Sequence, residues 1–243
     1  MKKGDEVRVG LHDLIRVFDE HNVLYKGHTT PIIGFIGEDL NAAIFTHYLA
    51  NREGSKNARV LPYPVNTGQK RVRGRELDRW IKSDKVLYQT EIKNWCSFML
   101  PSYKLLVGAT DQERGKLAKE KWEVELKKHY RGSEEFGMVS KVLLVMKIPK
   151  DLIKKYKVVK PLIIHWMPIS NKKMRPFFSC SVEKLGMSTK LMRQVPKSFT
   201  KINYFSCSLY IRELIDEGKK NINLSLPNVG IRMEILKKLI NLK

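Results

Sequence analysis

Four charged residues sit where a short hairpin should form in the stretch GRELDRWIKSDKVLYQTEIKNW: Glu76, Asp78, Glu91 and Lys93. Two strand-like runs, LDRWI and VLYQTEIK, flank the turn-forming residues Ser83 and Asp84. With the turn centred there, Asp78 is expected to face Gln89, and Glu76 to face Glu91. Alternation then puts Glu76, Asp78, Gln89, Glu91 and Lys93 on one face, and Leu77, Ile81, Val86, Tyr88 and Ile92 on the other. Asp78 and Glu91 become diagonal neighbours about 7 Å apart at the backbone, within reach of one cation. Two or three carboxylate oxygens, completed by water and phosphate oxygens, suit Mg²⁺. Lys93 would stand beside the ion, where it could position or deprotonate a water, or stabilise charge developing on a phosphate. That chemistry is phosphodiester hydrolysis. The bland alternative is a solvated ribbon on which Glu91 and Lys93 form a weak ion pair, worth less than ~1 kcal/mol.

Other elements must position these groups. Leu11, Leu14, Ile15 and Phe18 have the spacing of one helical face, with Gly27 as a stop. A second helix is expected over GEDLNAAIFTHYLANREG, apolar round a wide arc, with Glu38 in its first turn. A carboxylate there is favoured by the helix dipole and could also face a site. ARVLPYPVNTG and the hairpin read as strands, and DQERGKLAKEKWEVELKKHY as a long charged helix. KVLLVMKIP and VVKPLIIHWMPIS read as strands covered on both faces, with His165 a core residue. This order predicts an α/β fold, a central mixed sheet flanked by helices. From Asn171 the chain turns basic, with prolines and with Phe177, Phe178 and Phe199 interleaved, which suggests an appended segment. The final amphipathic stretch carries Ile231, Ile235, Leu236 and Leu239 on one side, expected to pack on the core. The expected divisions are an N-terminal helical segment, 1–29, a core, 30–170, and the basic C-terminal segment, 171–243.

LDRWI followed by YQTEIKNW resembles the PD-(D/E)XK nuclease superfamily, whose signature is an acid on one strand and (D/E)xK on the next. Asp78 matches the first acid, while Glu91 and Lys93 match the second half. Leu77 stands where the pattern usually has proline. The order of elements over about residues 30–170 also resembles that family's αβββαβ core. The resemblance implies Mg²⁺ as cofactor, with Mn²⁺ able to substitute, held by Asp78, Glu91 and the backbone carbonyl of Ile92. Glu38 is placed like the further helix glutamate many members use. Gln89 could bond a metal-bound water or only the sheet surface, and Glu76 has no counterpart. The resemblance further implies an endonuclease, commonly a homodimer, in restriction, phage defence, repair or recombination.

The charge fits a polyanion. Lys and Arg total 46 against 25 Asp and Glu, a formal net charge of +21. DNA is the expected partner, with RNA, and a protein that binds without cutting, as alternatives. Arg71, Arg73 and Arg75 precede the first acid, and Lys172, Lys173, Arg175, Lys190 and Arg193 follow in the basic segment. Such residues neutralise phosphates without reading sequence. No Walker loop, GxGxxG, GxSxG or paired-histidine motif is present. Cys96, Cys180 and Cys207 are odd in number and widely spaced, so neither a disulfide framework nor a zinc site is expected. A reducing cytoplasm, or a nucleoid in a bacterium, is the expected location, with no membrane segment.

Overall fold

The computed structural model describes residues 5–18, 26–61, 78–93, 142–143, 150–156, 158–166, 175–185, 187–226 and 229–240. Strand β1 (Asp5–Gly10) and helix α1 (Leu11–Phe18) lead into the long helix α2 (Lys26–Asn51). Strands β2 (Arg59–Val60), β3 (Arg79–Ser83) and β4 (Val86–Lys93) follow. Then come α3 (Lys150–Lys155), β5 (Val158–His165), β6 (Phe177–Ser181), the short α4 (Thr189–Met192) and β7 (Lys201–Ser206). Helix α5 (Cys207–Asp216), β8 (Asn221–Leu226) and α6 (Val229–Ile240) complete the described chain.

The fold is α/β, and its centre is a mixed six-stranded sheet in the order β2-β3-β4-β5-β7-β6. Strand β4 pairs antiparallel with β3 and parallel with β5, which in turn runs parallel to β7. Each central strand feeds two apolar layers. Leu162 and Ile164 pack with Leu14, Ile44, Phe45 and Tyr210 from the helices α1, α2 and α5. Ile163, between them, packs instead with Trp80, Leu87, Val142, Leu152 and Phe199. This double cover explains why β5 reads as a continuous apolar run rather than an alternating one.

Helix α2 crosses the first face and is held by aromatic contacts. The Phe45 ring meets Phe205 at 4.9 Å and Tyr88 at 5.3 Å, both edge-on, and such pairs add about 0.5–1.5 kcal/mol each beyond their burial. At its far end Arg52 reaches α5, 3.2 Å from Glu213 and paired with Glu217. Among the described residues no helix is long and apolar enough to cross a membrane.

Several expectations change. Gly27 does not end a helix but lies inside α2, which starts at Lys26, so Glu38 is mid-helix and the dipole does not account for it. Val142 and Leu143, expected in a strand, are helical and buried; a short apolar run looks the same in a buried helix and a buried strand. The segment after Asn171 is no appendage in the sheet: β6 and β7 are two of its six strands. Its lysines masked the apolar positions of KINYFS, five of whose six residues are buried. Ile231 and Ile235 of α6 do not pack on the core but are 57% and 52% exposed. Residues 111–130, expected as the charged helix, lie outside the described residues. Cys180 and Cys207 are buried and not joined in a disulfide.

Because Phe45 is fully buried at the junction of α2 and the sheet, Phe45→Ala should lower stability by about 3–5 kcal/mol in urea denaturation. Ile231→Ala, at an exposed position, should change it by no more than about 0.5 kcal/mol. Equal effects would contradict this packing.

Candidate active site

The hairpin closes on Asp84–Lys85, one residue beyond the expected centre, with Arg79 facing Thr90 and Ser83 facing Val86. Asp84 takes a positive φ of 50°, the conformation that a two-residue hairpin turn needs at its first central position and that Asp tolerates well. Trp80, not Asp78, therefore faces Gln89. The shift is two in register sum, so the sets of residues sharing a face are unchanged. Continuing the ladder by one residue would set Asp78 opposite Glu91 rather than diagonal to it. Asp78 is in fact anchored to that strand: its Oδ2 accepts the Ile92 N–H at 2.7 Å. The carboxylate thus lies against the backbone between Glu91 and Lys93.

Glu91 and Lys93 are two apart on one strand and so point the same way. Lys93 Nζ is 3.3 Å from Glu91 Oε1, with side-chain exposures of 32% and 3%. A carboxylate this deeply buried is costly unless it is paired, which removes the solvated-ribbon alternative. Gln89 is fully buried and donates from Nε2 to the carbonyl of Val142, tying β4 to the covering layer. It therefore bonds backbone, rather than lying on an open sheet surface.

Glu38 arrives from α2. Burial pushes its carboxyl above the ordinary range, and nearby Asp78 pushes the same way, while Arg79 and Lys93 oppose the shift. Carboxylates close enough to disfavour each other's charge are a feature of cation-binding and catalytic sites. Arg79 joins the two acids of α2 to the start of β3. Its Nη2 is 2.8 Å from Asp39 Oδ1 and 3.4 Å from Glu38 Oε2, and its Nη1 donates to the Asp78 carbonyl at 2.7 Å. Arg79 and the buried Asp39 were missed in the sequence because their pairing spans 40 positions.

His165 is the core residue expected. It faces Lys93 on one side and Ser206 on the other, fully buried, on the Glu91 face of the sheet. All three stand at the carboxyl ends of parallel strands, where open α/β sheets commonly bind ligands. Only the β4–β5 register could have revealed that placement.

Among the described residues no group of three His, Cys, Asp or Glu side chains is ready-made to hold a metal. Mg²⁺ does not require one, since it commonly takes one or two carboxylates and fills its octahedron with water and phosphate oxygens. The hard oxygens of Asp78, Glu91 and Glu38 fit that preference.

Three of the eight expected nucleic-acid contacts fall among the described residues. Arg71, Arg73, Arg75, Lys172 and Lys173 lie outside the described residues. Arg175, Lys190 and Arg193 are exposed. Phe178 and Phe199 are 3% and 7% exposed and belong to the core, so they are not stacking platforms for bases; their apolar surface is worth more buried than at an interface.

No protein-family model, curated protein or solved structure matches this chain.

The raised Glu38 pKa has a sign that can be checked. The folded state keeps this proton to higher pH than the unfolded chain, so stability falls as pH rises through that window. In chelator, Glu38→Gln should gain thermal stability relative to wild type as pH rises from the ordinary glutamate pKa of about 4.3 toward neutrality. A difference that stays flat across this range would contradict the shift.

Proposed function

We propose that this protein is a Mg²⁺-dependent endonuclease of the PD-(D/E)XK type that hydrolyses phosphodiester bonds of DNA. The observation that carries the reading is the convergence of Asp78, Glu91 and Lys93 from two paired strands with Glu38 from a separate helix. In this reading Asp78, Glu91 and the Ile92 carbonyl hold the ion, with Glu38 as a further oxygen donor. When bound, the ion supplies Lewis-acid polarisation of the phosphate and a more acidic water. Lys93, held close to Glu91, stands beside the scissile phosphate and offsets the negative charge that grows there. A water oxygen bonds to phosphorus, its proton passing to solvent. The P–O bond to the leaving sugar oxygen breaks, and that oxygen takes up a proton.

The charge distribution supports a polyanionic substrate. Exposed Lys184, Lys190, Arg193, Lys197 and Lys201 lie in or next to the β6–β7 connection. The same connection buries Val182, Leu185 and Phe199 against Trp80, Leu87 and Ile163, so this basic surface overlies the sheet face that carries Glu91. Arg175 and, from the sequence, Arg71, Arg73, Arg75, Lys172 and Lys173 belong to the same proposed interface. Dimerisation to cut both strands, and a role in restriction or phage defence, or alternatively in repair or recombination, are further parts of the proposal. A non-catalytic nucleic-acid-binding protein is the second reading, favoured by the lack of a ready-made three-ligand cluster among the described residues.

With Mg²⁺, the protein should convert supercoiled plasmid to nicked or linear forms, and Asp78→Ala or Lys93→Ala should each slow this by about 100-fold or more. A wild type that shifts DNA in a gel but never cuts it sinks the enzyme reading. Replacing Lys190 and Arg193 together by Glu should weaken binding to all sequences alike, and should flatten the salt dependence of log K by about two. An unchanged slope would move the interface elsewhere.

A further inference from the structure

Arg79 follows Asp78 directly but points the other way, toward α2, because successive strand residues alternate. Its side chain is 12% exposed, and the Asp39 side chain it meets is fully buried. From one guanidinium, Nε and Nη2 lie 3.3 and 2.8 Å from Asp39 Oδ1, Nη2 lies 3.4 Å from Glu38 Oε2, and Nη1 donates to the Asp78 carbonyl at 2.7 Å. A guanidinium is planar, permanently charged and carries its donors in fixed directions. One such group bonded to two elements sets the distance between them. The contacts are also graded. Of the two carboxylates, Asp39 is held closer, while Glu38 has the longer contact and 43% side-chain exposure. Arg79 therefore holds Asp39 tightly and Glu38, the more exposed acid of α2, by a longer contact from the same guanidinium that bonds the Asp78 backbone.

Resting on the nuclease reading, we propose that Arg79 is the positioning residue of the site: it sets the separation of Glu38 and Asp78, and so the affinity for the divalent ion, without touching substrate. Lysine should replace it poorly, since a single ammonium cannot span the Asp39, Glu38 and Asp78 oxygens together. Removing Arg79 alone would take this counter-ion from the buried Asp39 carboxylate, so the informative variant is the neutral pair Arg79→Met with Asp39→Asn.

The test is Mn²⁺ binding to the full chain, followed by electron paramagnetic resonance of the free ion, with thermal melts in chelator to confirm folding. The double variant should fold yet bind Mn²⁺ at least tenfold more weakly than wild type. Arg79→Lys should fall between them, weaker by at least threefold. Cleavage by both should recover toward the wild-type rate as Mn²⁺ is raised to saturation, because the lost quantity is metal affinity and not turnover. Wild-type affinity in a folded double variant overturns the proposal, while cutting by the wild type leaves the nuclease reading standing. Should the double variant not fold, wild-type affinity in Arg79→Lys overturns it equally. A wild type that neither binds Mn²⁺ nor cuts removes both readings together.

Discussion

Strand β4 is buried on both faces, and the rest of the molecule is arranged around that constraint. Tyr88 and Ile92 enter the layer formed with α1, α2 and α5, while Leu87 enters the layer under the β6–β7 connection. A strand in this position has no solvent in which to leave a charge, yet Glu91 sits on it at 2% exposure. Ionised carboxylates are not kept in such places by packing, since desolvation opposes them and a well-packed apolar residue would do as well or better. The acid is tolerated because Lys93 is held on the same face, two positions on. A group retained against its solvation cost points to use rather than to stability.

The polar residues gather at one end of the sheet. Glu91 and Lys93 close β4, Asp78 stands just before β3, and His165 and Ser206 end the two neighbouring parallel strands. Parallel neighbours that run in step must end in step, so their last residues form a row. Helix α2 crosses the opposite layer and brings Glu38 and Asp39 to this end, where Arg79 fastens them to β3. Its far end is fastened to α5 through Arg52. With the middle and the C-terminal end of α2 tied, the placement of Glu38 depends on contacts far from the site as well as on those beside it.

The hairpin was largely legible in the sequence, including which residues share a face, because strand alternation survives a register error of one whole pair. The turn centre was not. Ser83 and Asp84 both read as turn residues, and the choice fell to Asp84 through its positive φ. The extent of α2 was hidden because Gly27 carried a stop signal that the surrounding structure overrides. Residues past 171 misled through composition: a high density of lysine describes the exposed positions of β6, β7 and their connection, and says little about the alternate positions that fill the core.

The sequence by itself determined the α/β class, the amphipathic helices, the acid-and-lysine pattern of the hairpin and the large positive charge. Each of these follows from local periodicity or from composition, which neighbouring residues set among themselves. Only the tertiary structure decided that Glu91 is buried, that Arg79 bonds Asp39 and Glu38, and that His165 stands beside Lys93. Those relations join residues separated by tens of positions. They depend on which strands pair and on where α2 lies, and no local pattern encodes either.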